Sequence, residues 1–489
     1  MRKLILLIWT FVLSACAVGP DYSRPDLSTP AAFRMVEAEK EAESFANLPW
    51  WELLQDEELQ GLIRTALEGN KDLKRAVASV EEFQARLFIS RMDFAPQVDV
   101  SGNAPSFGRK ADFLFPGFPN RFNYYLQGNL AWELDIWGRI RRSNEAARGD
   151  LLAREEARRA VVLQLVSGVA EAYFDLLQFD MQLGIARRTL RSWDDSVRIA
   201  RTRLRKGITS KIDADQFEAE RSNAAARVAE LTRQMVQKEN QLSVLLGRNS
   251  GPITRGRVLT DQVLPPEVPP GLPSELLQRR PDLMQAEQEL AAATARIGVA
   301  KADRFPKLSI TGILGVASPQ LSRLVANETA FGVAGPSIVG PLFNAQILGF
   351  QQEAVQAQAR QSLAQYEQAI LVAFKEVEDS LVAVSTAQEQ RTAQVAQVES
   401  LRSALRLATL RYQGGLANYL DVLIAQRNLF DAELSLVSTH RLHLVSVVQL
   451  YKALGGGWSP FDTAQQKPGQ TSIKTGRMHS SPDSVNGNG

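Results

Sequence analysis

Apolar and polar positions alternate with a period of two in short segments of the chain, and follow a helical pattern over much longer ones. Between residues 124 and 134, apolar side chains alternate with polar ones, which predicts a strand with one apolar and one polar face. Three further strand candidates are QVDVSGN (97–103), KLSITGILGVA (307–317) and AFGVAGPSIVG (330–340). Strands of about 9–11 residues suit a tilted crossing of a bilayer. An ordinary soluble hairpin with one buried face is the alternative.

Two proline-free windows predict the longest helices. They run between Pro119 and Pro252 and between Pro341 and Pro460, although the chain contains 22 prolines. Inside them, residues 139–205 and 345–412 are rich in Ala, Leu, Gln, Glu and Arg, which favour helix. We therefore predict two continuous helices, each roughly 100 Å long.

The sequence also repeats itself. Residues 70–102 align without gaps to 280–312, and RLRKGITSKID at 203–213 recurs as RYQGGLANYLD at 411–421. Each half has the same order of short helix, strand pair, long helix and return helix. We therefore predict an internal duplication, with an overall fold that is mainly α and has a small β part.

The predicted organisation begins with a signal peptide (1–15) and an N-terminal anchor segment with an equatorial part (16–69). The first repeat (70–251) contains a short helix, a β-hairpin (95–136), a long helix (139–205) and a return helix (209–246). A proline-rich linker (252–279) precedes the second repeat (280–457), with its β-hairpin (305–342), long helix (345–412) and return helix (418–454). The tail 458–489 is predicted to be disordered, because it is rich in Gly, Ser, Asn and Pro.

The N-terminus has the plan of a bacterial lipoprotein signal. Arg2 and Lys3 precede a short apolar run, and Leu-Ser-Ala-Cys ends at Cys16. This ending resembles a lipobox, in which Cys16 is acylated and becomes the first mature residue. No later stretch reaches about 18 uninterrupted apolar residues, so the sequence predicts no transmembrane helix.

Composition argues against several function classes. Lys and Arg total 56 and Asp and Glu total 54, so no strong field favours a nucleic-acid partner. The dipeptide Gly-Lys does not occur, which excludes a P-loop. His440 and His443 lie three residues apart without a third ligand nearby in sequence, so we predict no metal site there. We expect no enzymatic activity and no cofactor.

Four strands cannot close a barrel, and open sheet edges are not tolerated in lipid. If the strands span a membrane, several copies of the chain must therefore contribute strands to one barrel. The sequence spacing alone leaves two, three or four copies open.

Motifs spread over nearly the whole chain resemble those of the TolC family of outer-membrane efflux factors, in its lipoprotein (OprM-like or NodT-type) branch. They are AVGPDYSRP after Cys16, Trp50-Trp51, WELDIWGRIRR (132–142), RRPDL (279–283), ADRFPKLSITG (302–312), RYQGGLANYLDVLIAQRNLF (411–430) and ALGGGW (453–458). The resemblance implies a homotrimer in the outer membrane. Its twelve strands form one barrel, continued by an antiparallel coiled-coil tunnel through the periplasm. The implied partners are outer-membrane lipid, a periplasmic membrane-fusion adaptor and an inner-membrane pump, expected to be of the proton-driven RND type.

The recurring motif at 203–213 and 411–421 has a structural explanation. Gly207 and Gly415 follow the long helices where a residue of positive φ is needed. Ser210 with Asp213, and Asn418 with Asp421, have the spacing of a capping box at the start of each return helix.

The resemblance adds functional roles at the same places. It implies that Asp421 rings a periplasmic gate, and that Tyr412 ties the second-half hairpin to the first-half tip near Asp213. This chain has Ile424 where many members carry a second acid, and Ala417 where the prototype's gate carries Arg. We therefore expect one carboxylate ring backed by an apolar ring. The adaptor is expected to dock near Arg203, Gly207, Arg411 and Gly415.

The function implied is a passive exit duct for drugs or other small solutes. Two alternatives remain open at this level. One is the outer-membrane component of a type I protein secretion system. The other is a lipid-anchored coiled-coil scaffold without a pore, which would have no use for a membrane-length strand pair in each half.

Overall fold

The computed structural model describes residues 17–26, 30, 33, 47, 49–104, 124–263, 276–318 and 320–456. The signal peptide, Cys16 and the tail 458–489 lie outside them. The elements of the described part are α1 (Trp50–Leu53), α2 (Glu57–Gly69), α3 (Lys71–Met92), β1 (Gln97–Asn103), β2 (Tyr124–Leu134), α4 (Arg139–Arg205), α5 (Lys211–Leu245), α6 (Leu276–Arg279), α7 (Pro281–Ala302), β3 (Lys307–Ser318), β4 (Ala330–Val339), α8 (Ala345–Gln413) and α9 (Tyr419–Ala453). The fold is mainly helical with one small sheet.

The two long helices lie where the proline-free windows place them. α4 has 67 residues and α8 has 69. Two residues after the last helical residue of each comes a glycine of positive φ, 71° at Gly207 and 75° at Gly415, as the sequence predicts. The amide of the next residue then donates to a carbonyl five residues back, Ile208 N to Arg203 O at 2.9 Å and Leu416 N to Arg411 O at 2.8 Å. This arrangement satisfies helix-end carbonyls and turns the chain.

The return helices are slightly shorter than the sequence predicts. They begin one or two residues later, at Lys211 and Tyr419. The preceding residues, Ser210 and Asn418, have extended backbone angles, so they occupy the N-cap positions just outside the helices. They also end one residue earlier, whereas α8 continues one residue further, to Gln413. The predicted linker contains the short helix α6 at its end.

Each short helix stacks end to end on the C-terminus of a return helix. At the first joint, Asn70 Nδ2 donates to Leu245 O at 2.9 Å, and at the second, Arg280 Nη1 donates to Ala453 O at 3.1 Å. A Cβ atom at Gly247 would lie 2.2 Å from a carbonyl oxygen of the facing helix end, so only glycine fits there. The α3–α5 and α7–α9 stacks thus run alongside α4 and α8.

The four strands form one antiparallel sheet in the order β1-β2-β3-β4. Directly paired residues share a face of the sheet, so the register decides which side chains lie together. Leu130 pairs with Val98 on β1 and with Gly312 on β3, and Trp132 pairs with Ile310. The apolar face of the sheet comprises Val98, Val100, Leu126, Leu130, Trp132, Leu308, Ile310, Leu314 and Val316.

The opposite face of the sheet carries most of its polar side chains. Gln127 Nε2 donates to Asn129 Oδ1 at 3.0 Å, and Asn129 Nδ2 donates to Ser101 Oγ at 3.1 Å. At the helical end of this face, Glu133 forms an ion pair with Arg139 at 2.8 Å. One sheet therefore has an apolar face and a mixed face, on which Ile313, Phe331, Val333 and Val339 of β3 and β4 lie beside the polar side chains.

The main core lies midway along the long helices, where α2, α4, α8 and α9 meet. Its buried carboxylate, Asp56, caps α2 and also accepts from Tyr173 Oη at 3.1 Å, Arg257 N at 3.0 Å and Gln262 Nε2 at 2.8 Å. One helix of the described part, α4, contains a window apolar and long enough to span a membrane. Because 61% of that window is buried, it fits a core helix.

Residues 17–26 form a strap that crosses from α4 to α7. Val18 N donates to Trp137 O at 3.0 Å, next to the sheet. Further along, Arg24 Nε donates to Glu287 Oε1 at 2.8 Å, near the start of α7 and away from the sheet. The strap therefore begins close to the sheet and runs away from it.

Candidate functional site at the helical tips

The two hairpin turns lie together at the end of the molecule opposite the sheet. We call residues 203–213 the first tip and residues 411–421 the second tip. Between them is a small core in which Phe217 lies 3.7 Å from Tyr419 and 6.0 Å from Trp193, measured between ring centroids. This aromatic cluster holds the two hairpins side by side.

The first tip contains the predicted capping box. Asp213 N donates to Ser210 Oγ at 3.2 Å, and the Asp213 carboxylate accepts from Ser210 N at 3.2 Å. Thr209 Oγ1 donates to the same carboxylate at 2.6 Å. The hydrogen bond from Thr209 is the main reason that the pKa of Asp213 lies below its usual value. Asp213 is therefore an anionic helix cap.

The capping box predicted at the second tip does not form, and that prediction is wrong. Asn418 is the N-cap of α9, but its side chain makes no capping hydrogen bond. Asp421 N instead bonds to the backbone carbonyl of Asn418 at 3.3 Å. The Asp421 side chain is exposed, and it accepts no hydrogen bond within the described part of the chain. The two equivalent carboxylates thus differ, and only Asp421 is free for another role.

Tyr412 contacts the first tip, and its partner there is Arg203. The Arg203 guanidinium lies over the Tyr412 ring, 4.7 Å from its centroid. The carboxylate of Asp213 is occupied by Thr209 and Ser210, and Tyr412 makes no hydrogen bond to it. The contact that links the tips here is a cation–π interaction.

Sequence reasoning missed the centre of this site. The Tyr419 ring is buried between Phe217 and Tyr412, its hydroxyl has no partner within the described residues, and burial raises its pKa. Gln426 Nε2 also crosses to Ser192 Oγ at 2.9 Å. Nothing in the spacing of these residues distinguishes them from ordinary core positions of long helices.

Beyond Asp421, one face of α9 is exposed. Leu420, Ile424 and Asn428 share this face because they recur every four residues, and Asp421 borders it. A carboxylate therefore stands one helical turn before an exposed isoleucine, in the order expected from the sequence.

The two histidines do not form a metal site with neighbouring acids. Burial is the main reason that the pKa of His440 falls to about 4, with Arg391 and His443 adding to the effect. Among the described residues, no group of three or more His, Cys, Asp or Glu side chains is arranged to hold a metal ion.

A model of the outer membrane efflux protein family matches residues 62–248 and 272–456 of the chain. Together these two segments cover both halves, from α2 to the end of α9. The chain belongs to the outer membrane efflux protein family.

Known relatives of this efflux protein cover almost its whole length. The toluene efflux pump outer membrane protein TtgC of Pseudomonas putida is 34% identical over 96% of this chain and 98% of its own. The probable outer membrane lipoprotein SilC of Salmonella typhimurium is 32% identical over 93% and 99%. A crystal structure of CusC, solved in work on folding and transmembrane channel formation, matches with a TM-score of 0.80. It is 33% identical and covers 90% of this chain and all of that one. The protein is an outer-membrane efflux protein.

Proposed function

We propose that three copies of this chain form a passive exit duct, the outer-membrane channel of a tripartite efflux system. The sheet is the observation that carries this proposal. Its four strands leave β1 and β4 as edges; one face is apolar, and the other carries most of the polar side chains. In lipid such edges require further strands, so the apolar face contacts lipid and the face with the polar side chains lines a lumen.

The helices next to the sheet also support an assembly in which several copies of the chain lie side by side. They pack in the order α3–α4–α7–α8, so α3 and α8 form the two sides of a helical layer. Both sides expose large apolar residues at the level of the sheet, Phe88 and Ile89 on α3 and Ile347 and Phe350 on α8. Contact between α3 of one copy and α8 of the next buries both sets. The number three comes from the family resemblance.

The aromatic residues at the helical end of the sheet mark the periplasmic membrane boundary. Trp132 Nε1 donates to Phe94 O at 3.0 Å, and Trp137 stacks on Phe305 with ring centroids 4.7 Å apart. Aromatic girdles of this kind flank the apolar band of outer-membrane barrels. From this boundary, the long helices extend about 100 Å into the periplasm.

The strap supports a lipid anchor at Cys16. Val18 is bonded next to the sheet and so lies close to the proposed membrane boundary. An acyl chain attached two residues earlier in the sequence would therefore need no linker to enter the inner leaflet. The name of SilC as a lipoprotein agrees with this assignment.

We assign the gate of the proposed duct to the second tip. Three copies bring three Asp421 carboxylates together, backed by three Ile424 side chains. The Arg203–Tyr412 contact holds the second tip against the first in the closed state. Asp213 stays a cap and is not part of the ring.

An inner-membrane pump, expected to be of the RND type, and a periplasmic adaptor would deliver the cargo. The adaptor docks over the tips, around Arg203, Gly207, Arg411 and Gly415. The toluene cargo in the name of TtgC favours small solutes over secreted protein. The apolar face of the sheet disfavours the other alternative, a lipid-anchored coiled-coil scaffold without a pore.

Cross-linking between copies tests the duct. Ile89→Cys with Ile347→Cys places reactive groups on the two exposed sides, and a short bifunctional maleimide should give a ladder ending at trimer. The control pairs Ile89→Cys with Val395→Cys, also exposed on α8 but about 70 Å further along the helix. The arrangement would be contradicted if the variant Ile89→Cys with Ile347→Cys gave monomers alone, or if it gave the same ladder as the control.

A further inference from the structure

Both tips expose an apolar pair at their apex. At the first tip, Ile208 is 67% exposed and Ile212 is 68% exposed. At the second, Leu416 is 76% exposed and Leu420 is 44% exposed. Apolar side chains exposed together at the end of a long hairpin favour burial against another surface.

The charge around these pairs differs between the two tips. The first tip carries three exposed cations that form no ion pair within the described residues: Arg205, Lys206 and Lys211. The equivalent positions of the second tip are neutral: Gln413, Gly414 and Tyr419. The duplication has therefore kept the turn and the apolar pair but placed these three cations on one tip only; the exposed charges of the second tip, Arg411 and Asp421, have opposite signs.

The other charged groups near the first tip are already engaged. Asp213 caps α5, Arg203 lies over Tyr412, and Arg201 pairs with Glu218 at 2.7 Å. Asp215 is exposed but lies beyond the capping box, further from the apex. Among the side chains that the structure describes, Arg205 donates only to Thr202 Oγ1, at 3.2 Å, so no carboxylate there balances its charge.

We infer that the first tip docks on a protein surface with an apolar groove rimmed by carboxylates, whereas the second tip, whose Arg411 and Asp421 balance each other in charge, docks on a groove without net charge. This inference rests on the proposed function, because the partner surface belongs to the periplasmic adaptor. In a trimer the six tips alternate, cationic and neutral, so the adaptor binds in two non-equivalent positions. A bilayer is the less favoured partner, since the tips lie about 100 Å from the proposed membrane boundary.

The cationic rim acts mainly on association. Charges at the rim of an interface steer the encounter and set its salt dependence, while the apolar core holds the complex. Screening lengths of about 10 Å at 0.1 M salt and about 3 Å at 1 M make the contribution measurable by varying salt.

The test uses detergent-solubilised full-length protein and the purified adaptor of its own efflux system. The double variant Arg205→Gln with Lys206→Gln gives the first tip the character of the second. Its association rate constant at about 0.1 M salt should fall about threefold to tenfold, and the difference should vanish near 1 M. The matched control, Arg233→Gln with Arg406→Gln, removes two exposed cations away from the apices and should retain the wild-type rate.

Zero-length carbodiimide cross-linking locates the partner groups. In the complex with wild-type protein, Lys206 or Lys211 should be joined to adaptor Asp or Glu side chains. The variant Gly414→Lys puts a lysine at the position of the second tip equivalent to Lys206, and this lysine should form no such cross-link.

The outcomes separate the inference from the proposed function. If the adaptor binds the wild type and the Arg205→Gln/Lys206→Gln variant equally at all salt concentrations, the inference is wrong and the duct stands. If the wild type binds no adaptor at any salt concentration, both fail. A third outcome is that the wild type binds phosphatidylglycerol vesicles, the double variant does not, and neither binds the adaptor. The partner of the first tip would then be a membrane and not a protein.

Discussion

An arginine at Leu130 tests which face of the sheet contacts lipid. Leu130 is one residue from the centre of the 11-residue strand β2, so its side chain lies within about 3 Å of the proposed midplane. Its neighbours across the sheet are Val98 and Gly312, and neither offers a partner for a guanidinium. Arginine at the midplane of an outer-membrane barrel costs about 2–4 kcal/mol. That corresponds to a loss of roughly 30- to 900-fold in the folding equilibrium per protomer.

The assay is outer-membrane fractionation followed by heat-modifiable gel migration, which separates assembled trimer from monomer. Leu130→Arg should shift the protein from trimer to monomer or to degradation. The control is the adjacent Asn129→Arg, whose side chain points to the opposite, polar face and should assemble normally. Damage from Asn129→Arg with none from Leu130→Arg would refute the assignment of the faces.

Three further predictions concern the anchor and the tips. Cys16→Ser should abolish incorporation of labelled fatty acid, while the proposed barrel should keep the protein in the outer membrane; absence of label in the wild type would disprove the anchor. Ser210→Ala should destabilise the tip by about 1 kcal/mol, because it removes a capping bond, and Asn418→Ala should have little effect, because its side chain makes none. Hydrogen exchange near residues 208–216 measures the effect of the first substitution and exchange near residues 416–424 that of the second, and equal effects would contradict the difference between the caps. The pKa of Asp213 is lowered in the folded state, so its contribution is present above its unfolded pKa and is lost as pH falls through its folded pKa. Acidification below about pH 4 should therefore lower the protection of first-tip amides, relative to their intrinsic exchange rate at that pH, more in the wild type than in Asp213→Asn.

The helical framework is predictable from sequence because it depends on local rules. Proline removes a helix donor and clashes with the preceding turn, so windows without it delimit α4 and α8. The glycines at 207 and 415 follow from the need for positive φ at a helix end. The strands follow from their alternating pattern, and their pairing into one sheet brings most of the apolar positions of β1, β2 and β3 onto one face.

The tips are less predictable, because their contacts depend on how the two hairpins pack. Ser210 and Asn418 have the same spacing to an acid, yet only the serine forms the capping box. At the second tip Tyr419 takes the place of Lys211 and is drawn into the aromatic core with Phe217. The partner of Tyr412 is likewise set by tertiary packing and cannot be read from its position in the motif.

Single-channel conductance of purified protein in planar bilayers tests the gated duct most directly. The wild type should open rarely and with small conductance. The variant Asp421→Ala with Arg203→Ala removes the proposed carboxylate ring and the cation over the Tyr412 ring, and its conductance should rise severalfold while the proposed trimer persists in detergent. Tyr412→Phe alone should change little, because the ring under Arg203 remains. Absence of channels from either protein, or an unchanged conductance in a stable trimer of the double variant, would contradict a duct closed at the second tip.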